Sequence, residues 1–310
     1  MKNKTTQIDF DKIAEILQNH DTESFFEKVN VIPDSSGLKK ELSLYMNVEN
    51  FSKRTVLGID IYRYSSFKHL EQSLIPFLFK ILFHKASMLC LEQNQYVFQK
   101  YSNDRFEKSF LSTGDGGYLI LSTPLHALLF AINFQAVVRA YNSYHLYPKL
   151  RHIIGEISLR YAITYDAIYY FDNNFYGRAI INNARILEKD NLNRCLIDQQ
   201  TYEWFMINID GTENLQILTI NEISNILDFQ DYDEVFKNKA RNTIIGNSIS
   251  REVGIVNSDI LKIGTIKSKE SELDVYNIHL QVTMNISDEK NLNQKRTITI
   301  SLGNLNTTGI

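Results

Sequence analysis

Two carboxylates stand out because each is delivered by an apolar run that reads as a strand. Asp60 closes Val56-Leu-Gly-Ile-Asp60, and Asp115 sits in the glycine turn of Ser112-Thr-Gly-Asp-Gly-Gly-Tyr-Leu-Ile120. Glycines let the backbone approach closely, so a carboxylate at such a turn is well placed to hold a hard cation. Asp-Gly is also a common hairpin turn, and Asp115 alone identifies nothing. Paired with Asp60, about fifty residues upstream, it suits two divalent cations. Such a pair lowers the pKa of an attacking hydroxyl and stabilises charge on a phosphoryl group. Arg185, on a helical stretch over 179–188, is a cation able to meet charge that develops at phosphorus. Backbone N–H groups at the helix start after Asp60, around Tyr64 and Ser65, can cradle a polyphosphate.

The elements that must position these groups follow from the hydrophobic spacing. It predicts a strand over 55–61, a helix over 65–94, strands at 105–112 and 117–122, and a helix over 124–142 that begins at Ser122-Thr-Pro124 and is closed by Tyr147-Pro148. A second strand pair is predicted at 157–165 and 167–172, then a helix over 178–188. Strands are expected to dominate from 194 onward, at 253–284 and 295–302. A polar stretch over 207–242 reads as an insertion with one helix from Asn221 to Leu227. Phe10, Ile13, Ile16 and Leu17, then Phe25, Phe26 and Val29, then Leu38, Leu42 and Tyr45, recur at helical spacing. We read 1–49 as a helical lead-in, 50–284 as the catalytic domain and 285–310 as a terminal strand and tail. The pattern is α+β, a mostly antiparallel central sheet with helices packed on it.

Composition bounds the partners. The 310 residues are 44% hydrophobic and 22% charged, with a net charge of −3. That is ordinary for a globular core and leaves no basic footprint for nucleic acid. Cys90 and Cys195 make neither a metal spacing nor a disulfide framework. The apolar stretch Leu74–Leu91 is interrupted by Lys80, His84 and Lys85 and reads as a core helix, not a membrane span. No apolar leader follows Met1, so a cytoplasmic protein is expected. His126, on an apolar helix face, is expected to be a satisfied core residue.

Several stretches together resemble the catalytic domain of class III nucleotide cyclases. Val56-Leu-Gly-Ile-Asp-Ile-Tyr-Arg-Tyr-Ser65 is similar to that family's first metal motif, and Ser112–Ile120 to its second. Leu159-Arg-Tyr-Ala-Ile-Thr-Tyr165 resembles the strand before the dimer-side loop. Tyr176-Gly-Arg-Ala-Ile-Ile-Asn-Asn-Ala-Arg-Ile-Leu-Glu188 resembles the motif carrying the transition-state Asn and Arg. Ile266-Lys-Ser-Lys-Glu-Ser-Glu-Leu-Asp-Val-Tyr276 resembles the closing hairpin whose lysine reaches the triphosphate. Five motifs in order are more specific than any one.

The resemblance implies a ferredoxin-like core and a head-to-tail homodimer with active sites at the interface. It implies Asp60 and Asp115 as ligands of two Mg2+ or Mn2+ ions, with the Ile61 carbonyl as a third ligand. Arg185 of the opposite subunit would stabilise the transition state, and Lys269, or Lys267, would contact the phosphates. Both lysines also read as hairpin-tip charges, and Arg178 as either a solvated residue or a substrate contact. The family asparagine falls at Ile181, and Asn182, on the same helical face as Arg185, is the expected substitute.

The base-selecting positions differ from those of purine cyclases. Leu111 stands where adenylyl cyclases carry lysine and guanylyl cyclases glutamate, and Asn174 occupies the second position. Tyr62 is placed to reach the base. An apolar residue at a reading position weakens recognition of a purine edge, while asparagine offers donor and acceptor to a smaller base. This is similar to the pyrimidine cyclases of bacterial Pycsar antiphage systems. The implied activity converts UTP or CTP to a 3′,5′-cyclic mononucleotide and pyrophosphate, with a separate effector reading the product. The alternatives are a purine cyclase and a catalytically silent cyclase-like dimer. A diguanylate cyclase would want a different hairpin from Gly-Asp-Gly-Gly.

Overall fold

In the computed structural model, residues 6–20, 33–47, 51–227, 254–267, 271–287 and 295–310 are described. The chain begins with β1 (Thr6–Gln7), α1 (Phe10–His20) and α2 (Ser36–Met46), then enters the sheet at β2 (Lys53–Ile61). A long helix α3 (His69–Gln93), a short α4 (Asn103–Lys108) and the hairpin β3 (Phe110–Ser112) to β4 (Gly116–Leu121) follow. Next come α5 (Pro124–Asn142), α6 (Pro148–Ile154), β5 (Leu159–Phe171), β6 (Asn174–Gly177) and α7 (Arg178–Lys189). The last part runs β7 (Cys195–Asp198), α8 (Gln199–Ile209), α9 (Ile220–Leu227), β8 (Gly254–Lys267), β9 (Glu272–Ser287) and β10 (Lys295–Leu302).

The main sheet has the order β10-β9-β7-β5-β2-β4-β3, with β8 on β9 and both β1 and β6 on β5. The pairings of β1 and β7 with β5 are parallel and the others antiparallel. The fold is therefore α+β, with a mixed, largely antiparallel sheet flanked by helices. Side-chain alternation divides the work of the two faces. Leu57, Ile59 and Ile61 of β2 join the main core with Leu78, Phe79 and Leu82 of α3 and Leu128, Phe130 and Phe134 of α5. Val56, Gly58 and Asp60 fall on the other face, where Val56 packs with Ile120, Ile168 and Ala179 beneath α7. By length and composition α3 is apolar enough to cross a membrane. Its Ile75, Leu78, Leu82, Ala86 and Cys90 are nevertheless buried in the core, as expected of a core helix.

Some elements differ from the sequence expectation. Residues 103–108 form α4, not strand, because the Ser102 hydroxyl accepts from Arg105 N–H (3.2 Å) and caps a helix there. β5 runs unbroken through Asp166, and the turn falls at Asp172 and Asn173, with φ of 47° and 57°. Pro148 opens α6 instead of ending the previous helix, a first-turn position where its missing N–H costs nothing. After β7 the chain forms α8, capped by Asp198, where strands were expected. Within 207–242, α9 matches the expected helix; residues 228–242 and the expected helix around Phe25 lie outside the described residues.

Candidate active site

The two carboxylates meet because β2 and β4 pair with Asp60 opposite Gly116. A Cβ on Gly116 would fall 2.1 Å from the Ile59 carbonyl oxygen and 2.9 Å from Asp60 Cα. Glycine there lets the turn carrying Asp115 close onto the end of β2. Ile61 N–H then donates to the Asp115 carbonyl (3.2 Å). Asp60 and Asp115 line one cavity of about 230 Å³ with Thr113, Tyr118, Arg160 and Glu188. Burial raises the Asp60 pKa above its ordinary value; Arg160 opposes that rise and the Asp115 charge adds to it. Burial likewise raises Tyr118, helped by the negative charge of both aspartates.

Among the described residues no three His, Cys, Asp or Glu side chains gather into a metal cage. Two carboxylates at a cavity are nevertheless the donor set that suits Mg2+ or Mn2+, which keep waters and take further oxygen ligands from substrate phosphates. The residues present fit such ions.

Arg160 was not singled out from sequence, although it lies in the quoted Leu159–Tyr165 stretch. It stands directly opposite Asp60 on β5. Its Nε lies 2.5 Å from Asp60 Oδ2, and its Nη1 donates to the Asp190 carbonyl at 2.5 Å. Strand pairing reveals this contact; spacing along the chain does not.

Helix α7 crosses the same sheet face on a fully buried asparagine. Asn183 Nδ2 donates to the Val56 carbonyl (3.0 Å), the Ala162 carbonyl (2.9 Å) and Thr164 Oγ1 (3.2 Å). A Cβ on Gly58 would lie 1.9 Å from Asn183 Oδ1, so glycine in β2 opens the seat for it. The helix then presents Ala184, Leu187 and Glu188 to the carboxylate cavity. It presents Arg178, Ile181, Asn182 and Arg185 to a second cavity of about 670 Å³. Arg185 Nη1 donates to Ser271 Oγ (3.3 Å), beside the β8–β9 turn. Arg178 Nε faces Asp166 Oδ2 at 3.7 Å. Asp198, buried at the edge of this cavity, accepts from Thr201 N–H (2.9 Å), and burial pushes its pKa up to about 7.

The remaining expected site residues are dispersed. Leu111 pairs with Tyr118 across β3 and β4, on the sheet face of the carboxylate cavity. Tyr62 donates its hydroxyl to the Asn191 carbonyl (3.0 Å), and Asn174 is exposed with its Oδ1 accepting from Phe175 N–H (2.8 Å). Leu111, Tyr62 and Asn174 line no common cavity among those found in the described residues. The Ile61 side chain is buried in the main core. Tyr64 packs on that core and donates to the Gln72 carbonyl (3.1 Å), and Ser65 is exposed. Lys267 is exposed, 3.7 Å from Glu272. Lys269 lies outside the described residues. His126 is a satisfied core residue, with Nδ1 2.8 Å from Thr123 Oγ1 and Nε2 3.1 Å from the Val97 carbonyl.

No protein-family model matches the chain, and no curated protein sequence matches it. Solved structures that align with it include the guanylyl cyclase Cya2 at 10% identity, covering 73% of this chain and 91% of that one, with a TM-score of 0.38. An adenylate/guanylate cyclase/hydrolase from Silicibacter pomeroyi aligns at 13% identity over 73% and 95%, with a TM-score of 0.37. The adenylyl cyclase CyaB from P. aeruginosa aligns at 14% identity over 73% and 93%, with a TM-score of 0.33. Likeness at this level assigns neither fold family nor activity.

Proposed function

We propose that this chain is a metal-dependent nucleotide cyclase of the class III kind. The observation that carries the reading is the pairing of Asp60 and Asp115 in one cavity through a glycine turn. When bound there, divalent ions supply activation of a ribose 3′-hydroxyl and neutralisation of the triphosphate. Asp60 and Asp115 hold that charge at the sheet end. Arg185 supplies a guanidinium for charge at the α-phosphorus, with Asn182 beside it to orient the ribose. Lys269 or Lys267 draws on the leaving pyrophosphate. Arg185 lines the second cavity, not the one with the carboxylates. It therefore acts on the nucleotide held by the other copy in a two-fold dimer.

The finer reading is that the substrate is a pyrimidine, UTP or CTP, and that the cyclic product is a second messenger read by a separate effector. Its support is Leu111, apolar and on the sheet face beside Tyr118, where a charged reader of a purine edge would otherwise stand. A purine substrate is the second reading. Asn174, the other position that points to a smaller base, spends its side-chain oxygen on the Phe175 N–H. Incubation with Mn2+ and each of the four ribonucleoside triphosphates, with products identified by mass spectrometry, separates these. A 3′,5′-cyclic pyrimidine nucleotide is expected. Clean purine cyclisation would remove the base assignment, and linear products alone would remove the cyclase.

A further inference from the structure

Arg160 is held from two sides. Its Nε meets Asp60 Oδ2 and its Nη1 meets the Asp190 carbonyl, each at 2.5 Å. The Asp60 and Arg160 side chains are only 16% and 24% exposed, so water and salt screen the pair weakly. The carbonyl that steadies Arg160 is itself fixed. Asp190 Oδ1 takes Arg194 Nε at 2.8 Å and Nη2 at 2.7 Å, with both side chains 1% exposed. Arg194 Nη1 in turn donates to the Thr308 carbonyl at 2.6 Å. An ordered chain of contacts thus runs from Asp60 to the C-terminal segment, with Arg160 as its first member.

A guanidinium bound to one oxygen of a carboxylate removes that oxygen from the reach of a metal and adds a repelling charge beside the other. We propose that Arg160 is a built-in counter-ion that occupies Asp60 in place of the cation and sets how tightly the carboxylate cavity takes a divalent ion. The triphosphate of an incoming nucleotide offers Arg160 a stronger anionic partner, so its arrival frees Asp60 for the ion. Cation and substrate then enter together, and cation alone is held weakly. Toward the cation, Arg160 thereby acts through Asp60. This rests on the reading of Asp60 and Asp115 as cation ligands.

The test measures Mn2+ binding to the full chain without nucleotide, by the electron paramagnetic resonance signal of free Mn2+. Arg160→Gln is expected to tighten binding about tenfold, the scale of removing one unscreened charge beside the site. Arg160→Lys, which keeps the charge, is expected to stay within about twofold of wild type. Adding Asp60→Asn to Arg160→Gln is expected to abolish the gain. Unchanged or weaker Mn2+ binding in a folded Arg160→Gln protein would overturn the proposal and leave Arg160 a structural support. If Asp60→Asn leaves Mn2+ binding unchanged in both backgrounds, the cation-ligand reading itself fails. Should Arg160→Gln not fold, the wild-type Arg160 Nε–H resonance decides. It is expected to shift and lose exchange protection when Mg2+ and a ribonucleoside triphosphate are added together, and an unmoved, protected signal overturns the proposal.

Discussion

Ala184 and Arg185 are consecutive on α7 and line different cavities. Ala184 faces the one with Asp60 and Asp115, Arg185 the one with Asn182 and Asp198. One chain thereby holds its two carboxylates and the Arg185 guanidinium in separate cavities, and under the proposed function the active site takes its two parts from two copies.

Two inactive variants should therefore rescue each other. Asp60→Asn and Arg185→Ala are each expected to lose at least about a hundredfold in product formation, the scale for removing a transition-state contact. Mixed one to one and allowed to exchange subunits, they should recover about a quarter of wild-type activity. Half of the dimers are then mixed, and each mixed dimer has one intact site. A mixture as inactive as its parts would place Arg185 in its own chain's site, or outside catalysis.

Base choice should respond at Leu111. Leu111→Lys gives the face beside Tyr118 a donor that an apolar residue lacks. It is expected to lower pyrimidine product by about tenfold relative to purine product, the size of one lost or misplaced polar contact. A competition assay with equal concentrations of the four nucleotides reads the ratio directly, and an unchanged ratio would remove Leu111 from base recognition.

The seat of α7 makes a stability prediction. Asn183→Ala deletes a buried amide that donates to Val56, Ala162 and Thr164. It is expected to cost about 2–4 kcal/mol, the range for breaking a buried hydrogen-bond network. Urea unfolding measures it. Asn182→Ala, one position earlier and facing the second cavity, is expected to change stability by less than about 1 kcal/mol.

Asp198 makes stability depend on pH in an unusual sense. Its pKa rises from the ordinary 3.8 in the unfolded chain to about 7 in the folded one because it is buried. Below the lower value both states hold the proton and no penalty exists. As pH rises through that window the unfolded state releases its proton first, so this group costs the fold on the order of 4 kcal/mol above pH 7. Asp198→Asn keeps a capping oxygen for α8 and removes the titration. The difference in unfolding free energy between variant and wild type should grow from pH 4 to pH 7 in favour of the variant. A flat difference would show that Asp198 does not titrate in this window.

Much of the frame was legible because hydrophobic period carries it. The α5 helix, the β2 strand and the β8–β9–β10 segments follow from apolar spacing and from Thr123-Pro124. The Asp60 and Asp115 meeting was legible too, since Asp60 lies at the end of an apolar strand and Asp115 in a glycine turn that leads into another. Local polar signals were harder. Ser102 caps a helix where Phe106 and Phe110 mimic a strand, and Asp198 starts α8 where apolar residues suggest further sheet. Spacing along the chain does not single out Arg160, because its partner lies 100 positions away and only strand register joins them. Nor does the 3.6-residue period say which of Asn182 and Asn183 faces the cavity and which anchors the helix. That depends on Gly58, on a different element.

The proposed activity is metal-dependent cyclisation at Asp60 and Asp115. Its most direct test compares wild type and Asp60→Asn for 3′,5′-cyclic nucleotide formed from a ribonucleoside triphosphate with Mn2+, with thermal unfolding confirming that both are folded. Wild type is expected to form the cyclic product, and Asp60→Asn at least about a hundredfold less. Equal product from the two proteins would contradict it.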